Sequence, residues 1–127
     1  MIRENRWHTP KGFYKHFYLG QNFKDQQELR EERWKQQKNN EMNPNQKQIL
    51  EQKDERLTQL EAQMFEKSTL LDELTQSIYQ QSSEELIVTI RERIQAVRSE
   101  LEHLWHQQSL LEEEFQYDML KIQKQLQ

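Results

Sequence analysis

At 127 residues, 33% hydrophobic and 31% charged, the chain fits one domain with a narrow core and is too polar for a thick, multilayer one. Two glycines, two prolines and an abundance of Gln, Glu, Lys, Leu and Arg disfavour a turn-rich β domain and predict an all-α fold, and the lack of cysteine excludes a disulfide framework, a thiolate metal site and a cysteine nucleophile. The formal net charge of −4 is uneven: residues 1–24 carry Arg3, Arg6, Lys11, Lys15 and Lys24 against Glu4 alone, a balance of +4 that leaves −8 for the rest.

Residues 1–21 form a basic, aromatic arm. Trp7, Phe13, Tyr14, Phe17 and Tyr18 alternate with cationic side chains, and Pro10, Gly12 and Gly20 punctuate the segment, so an irregular conformation without a long helix is expected. The arm never reaches the apolar run of about 7–15 residues of a secretory signal. No stretch approaches the roughly 18 consecutive apolar residues that span a bilayer. A cytoplasmic protein without membrane insertion is the expectation.

Residues 22–38 read as a short amphipathic helix, with Asn22 as N-cap and Lys35 and Lys38 near the negative end of the helix dipole. Its apolar face is thin. Leu19, Phe23 and Trp34 share a stripe, but Gln27 and Arg30 interrupt it. Residues 39–45 then supply a linker, because Asn favours turns and Pro44 biases Asn43 away from helical geometry while suiting a helix's first turn.

The remainder, residues 46–127, carries two heptad stripes. In the first, predicted to be helical over 46–81, the a positions are Leu50, Leu57, Met64, Leu71 and Ile78, and half the d layer is polar, with Lys53, Lys67 and Gln81 beside Leu60 and Leu74. Such lysines can lay their methylenes along the seam and keep the ammonium in water. In the second, predicted over 84–126, Ile87, Ile94, Leu101 and Phe115 occupy a positions with a gap at Gln108, while Ile90, Val97, Leu104 and Leu111 occupy d. Past Phe115 the spacing relaxes to Met119, Ile122 and Leu126, which predicts a tail that leaves the supercoil or frays.

Register decides how the stripes are joined. The second frame is offset by two residues from the first, which neither a stutter of four nor a stammer of three produces, so a continuous coiled coil would lose its seam near residue 82. Folding back repairs it. A turn near residues 82–86, with Ser82 and Glu85 as a capping box, opposes Ile78 with Ile90, Leu74 with Ile94, Leu71 with Val97, Met64 with Leu104 and Leu57 with Leu111. The fold expected is a long antiparallel coiled-coil hairpin preceded by a short helix and an irregular arm. Trp105, Leu110, Met119 and Leu120 in the second arm, and Ile49, Phe65, Leu70 and Tyr79 in the first, lie outside a two-stranded seam, so further cover is required from the N-terminal segment, a second copy or a partner.

No constellation specifies a reaction. His103 and His106 lie three residues apart, yet two ligands do not make a metal site; Glu100 and His103 have the spacing of helical di-iron carboxylate bundles, but no second Glu-x-x-His occurs and both fall outside the core positions. The acidic runs Glu31-Glu32 and Glu112-Glu113-Glu114 are expected to be solvated faces. There is no glycine-rich phosphate loop and no nucleophile elbow. A non-enzyme without cofactor, metal or small-molecule substrate is therefore expected.

The function expected is protein–protein interaction: a coiled-coil adaptor or accessory subunit that docks on another helical protein or self-associates. Its anchors would be Trp7, Phe13, Tyr14 and Phe17 in the arm and Trp105, Leu110 and Met119 in the second stripe. One alternative is a nucleic-acid-associated accessory protein, with Arg3, Arg6, Lys11 and Lys15 on phosphates and the rings on bases. Another is a small helical chaperone or targeting partner of an exported protein.

Overall fold

The computed structural model describes residues 11–38 and 43–126, which form four helices: α1 (Phe13–Leu19), α2 (Gln21–Lys38), α3 (Pro44–Ile78) and α4 (Glu84–Leu126). The long pair α3 and α4 packs as the hairpin that the register offset requires. Met64, Leu71, Val97 and Leu101 lie in one buried cluster with Leu74, Ile94 and Leu104 against it, and Leu50, Leu57, Phe115, Met119 and Ile122 lie in a second with Leu111.

Local chemistry fixes the ends of the arms. Asn43 accepts the Asn45 amide on its side chain at 2.9 Å and Pro44 takes the first helical position, where its missing N–H costs nothing, so α3 starts two residues earlier than the pattern predicts. It also stops earlier, at Ile78. The amides of Tyr79, Gln80 and Gln81 bond to the carbonyls of Gln76, Ser77 and Ile78, so the last turn tightens to three-residue spacing before the chain reverses. At the entrance to α4 the Ile87 amide bonds to the Ser83 carbonyl at 3.1 Å. The tail does not leave the bundle: α4 continues to Leu126, and Met119 and Ile122 are buried in a cluster that a third helix joins through Trp34.

That third helix is the chain's own N-terminal region, and here the expected irregular arm is corrected. Residues 13–19 are helical, bounded by Gly12 at a left-handed φ of 81° and by Gly20. Seven residues have too little intrinsic helix stability to hold this shape alone. Two tertiary features supply it: Tyr14 and Tyr18 bury against Met64, Leu71, Val97 and Leu101, and the Tyr14 amide in the first turn donates to the Asp72 carboxylate at 3.0 Å. At Gly20 a Cβ would lie 2.7 Å from the His16 carbonyl oxygen, so a side chain there would force the junction open. α2 begins at Gln21, one residue before the expected start, with the Phe23 amide on the Gly20 carbonyl at 3.0 Å.

From this junction α2 runs down the hairpin toward its open end. Trp34 sits edge-on to Phe115, ring centroids 6.2 Å apart, and closes the second cluster. Between the two apolar clusters lies a polar layer in which Glu61 of α3 meets Arg30 of α2 and Gln108 of α4, whereas the seam lysines sit beside the clusters themselves. The half-buried Lys53 pairs with Asp118 and Glu114, and Lys67 with Glu100 at 2.7 Å, so the lysines at polar d positions reach carboxylates of α4.

Candidate docking surface

The two sides of α1 differ in chemistry. With Tyr14 and Tyr18 facing the hairpin, the helical repeat puts Phe13 and Phe17 on one flank and Lys15 and Leu19 on the other. Phe13 and Phe17 stack at 5.8 Å, Phe17 meets Tyr18 edge-on at 4.9 Å, Tyr18 meets Trp105 of α4 at 6.4 Å, and Trp105 leans on His106 at 5.4 Å. A continuous row of rings therefore crosses from α1 to α4. Its members remain open to solvent, with Phe13 40%, Phe17 67% and Trp105 42% exposed, although Tyr18 at the centre is buried. Burial pushes the Tyr18 phenol above its ordinary pKa, and the Glu102 carboxylate adds to this against the opposing effect of Arg98.

The expected anchors separate on this geometry. Phe13, Phe17 and Trp105 share the aromatic edge. Leu110 is 63% exposed but follows Trp105 by five residues, about 140° around the helix, where it keeps company with exposed Tyr117. Tyr14 and Met119 are buried in the chain's own core, Tyr14 in the cluster of Met64 and Leu71 and Met119 in that of Trp34 and Phe115, so neither is offered to a partner as expected. Trp7, Arg3 and Arg6 lie outside the described residues.

Lys11 and Lys15 turn the other way, toward α3. Together with Gly12, Asp72 and Glu73 they line one hollow, and the Lys15 ammonium lies 5.0 Å from the centre of the Phe65 ring. The described cations and the exposed rings of the arm thus occupy opposite flanks of α1 rather than alternating along one surface.

Sequence patterns do not expose the most buried charge among the described residues. Arg30, 3% exposed, donates to Glu61 at 3.0 and 2.6 Å and to Glu112 at 2.6 Å, and its Nε lies 3.4 Å from Asp54. Gln108 completes the layer with a donated bond to Glu61 at 3.4 Å. Burial alone would lower the Arg30 pKa, but the hydrogen bonds and charges of Glu61 and Glu112 outweigh it and raise the pKa above its usual value. The one available signal was negative: Arg30 interrupts the stripe of α2 and Gln108 interrupts that of α4. The carboxylates are held by a fixed cation inside the bundle, an arrangement suited to clasping α2 onto the hairpin.

Glu100 is engaged with Lys67, and His103 exchanges a hydrogen bond with Gln107 at 3.0 Å along the helix surface. Among the described residues no three His, Asp or Glu side chains gather to hold a metal ion, and no helix is long and apolar enough to cross a membrane. No family model, curated protein or solved structure matches the chain.

Proposed function

We propose that the chain is a cytoplasmic, non-enzymatic interaction module, an accessory helical subunit whose aromatic edge packs against a helix of another protein or of a second copy. The observation that carries this is the row Phe13, Phe17 and Trp105, left substantially exposed on a hairpin whose seam the chain's own α1 and α2 already cover. Rigid aromatic rings bury large areas at little entropic cost, which makes them effective anchors at interfaces. Both long helices are fixed by their mutual packing, so the edge is presented on a preorganised body.

The nucleic-acid alternative requires rings and cations on one surface, and the opposite placement of Phe17 and Lys15 weighs against it. A client-dependent chaperone would gain from an unfilled seam, whereas Tyr14, Tyr18 and Trp34 fill this one.

The test is sedimentation of the full chain over a hundredfold concentration range, paired with capture of partners at two salt concentrations after nuclease treatment. Phe17→Ala with Trp105→Ala is expected to abolish association while far-ultraviolet dichroism is retained. Association or capture that is indifferent to the pair rules out this edge. Capture that nuclease removes returns the question to nucleic acid.

A further inference from the structure

The other flank of α1 carries a second surface. Lys15, Leu19, Phe23 and Gln27 come from both sides of the α1–α2 junction, where the extended ψ of −173° at Gly20 ends one helix before the next begins, and all four face one hollow. With Lys24 and the half-exposed ring of Phe65 they line an open groove of about 330 Å³, near the lower end of the size at which pockets seat a ligand group. Leu19 and Phe23 are half-buried and form its apolar wall, and Lys15 lies along the face of Phe65.

Its charge is opposite to that of the body. None of the described residues lining the groove is acidic, in a chain of net charge −4. Elsewhere the buried or half-buried cations Arg30, Lys53 and Lys67 pair with carboxylates. Lys15 and Lys24 have no ion-pair partner among the described residues. Two unpaired ammonium groups beside an apolar hollow complement an apolar side chain flanked by carboxylates.

We infer that this groove accepts an acidic amphipathic helical segment of a partner protein, with a large apolar side chain between Leu19, Phe23 and Phe65 and its carboxylates on Lys15 and Lys24. The inference rests on the reading of the chain as an interaction module, but not on the aromatic edge. The ammonium groups supply orientation and speed of encounter, and the apolar contact supplies the desolvated anchor. A cationic segment would meet like charge at both rims.

The probe is a fluorescein-labelled synthetic helical peptide of about 14 residues, with Leu or Phe at helical spacing on one face and Glu on its flanks, titrated with the full chain and followed by anisotropy. Binding is expected to weaken at least tenfold when the peptide's Glu residues become Lys, when its apolar residues become Ser, or when the chain carries Lys15→Glu with Lys24→Glu. It should also weaken severalfold on tripling the salt concentration. Lys24→Glu alone, at an exposed position, keeps the test valid if the double variant loses helicity. Phe17→Ala with Trp105→Ala should leave this binding unchanged, so the groove and the aromatic edge stand or fall separately. Absent binding, equal affinity for the two peptide charges, or full affinity in the folded charge-reversal variant overturns the inference. So does displacement of the peptide by an equimolar single-stranded oligonucleotide, which would make the groove a polyanion site.

Discussion

Arg30 of α2 forms a two-pronged pair with Glu61 of α3, each terminal nitrogen of the guanidinium on a separate carboxylate oxygen, at 3.0 and 2.6 Å. Both side chains are almost wholly sealed from water. Removing one member leaves the other charged and buried, which costs about 3–5 kcal/mol, whereas replacing both with apolar residues of similar volume removes the desolvation penalty along with the attraction. Arg30→Met is therefore expected to be strongly destabilising, because Glu61, Glu112 and Asp54 lose their common cation. Adding Glu61→Leu should recover a large part of the loss. Urea denaturation of the wild type, both single variants and the double variant checks this, and additive losses would contradict it.

Detachment of α2 should precede unfolding of the hairpin. Phe23, Arg30 and Trp34 are the principal inward residues among its described side chains, whereas α3 and α4 interlock along their lengths. Trp34→Ala removes the lid over Phe115, at a cost of about 3 kcal/mol by analogy with other buried aromatics. If α2 opens as a unit, that cost appears as amide exchange faster by about two orders of magnitude in residues 21–38, with little change around Leu71 and Leu101. Uniform acceleration along the chain would show instead that all helices open together.

The hairpin was legible because its signal is periodic. The two-residue offset between heptad frames implied antiparallel pairing, and Met64 with Leu104 and Leu57 with Leu111 fall in the clusters it implied. The third layer was harder to read, since its determinants are tertiary. α1 is too short for propensity to reveal, and it is held by the Asp72 cap and by two tyrosines over the seam. Arg30 and Gln108 each looked like a defect in one apolar stripe, and only their meeting at Glu61 gives either a reason. At the candidate surface, residue type picked out Phe13, Phe17 and Trp105 as anchors but not their distance from Leu110 around α4. For Met119 it demanded cover but left the N-terminal segment, a second copy and a partner as equal candidates, and the cluster that Met119 shares with Trp34 decides for the chain's own α2.

The antiparallel register can be tested through charge. Lys67 and Glu100 pair across the seam at 2.7 Å, both substantially open to solvent, so the interaction contributes only about 0.2–1 kcal/mol. Lys67→Glu places two carboxylates together and Glu100→Lys places two ammonium groups together, so each is expected to lower the urea midpoint slightly. The exchanged pair should restore it. The cycle is best run at low salt, because 1 M salt screens the coupling over about 3 Å. A double variant as weak as the sum of the singles would mean that these positions do not face each other.

Tyr18 gives the fold an alkaline limit. Its phenol is held above its ordinary pKa, first by burial and then by the Glu102 carboxylate, so the folded state binds the proton more tightly than the unfolded chain does. The sign follows directly: this contribution is fully present below the unfolded pKa of about 10 and is lost as pH rises from there through the folded value. Tyr18→Phe keeps the ring against Trp105 and the seam while removing the titrating oxygen and its 3.4 Å bond to Glu102. The quantity to measure is the difference in urea midpoint between wild type and Tyr18→Phe at pH 8 and at pH 11. The wild type should lose more stability than the variant over that interval. Parallel losses would show that ionisation at Tyr18 is not coupled to the docking of α1.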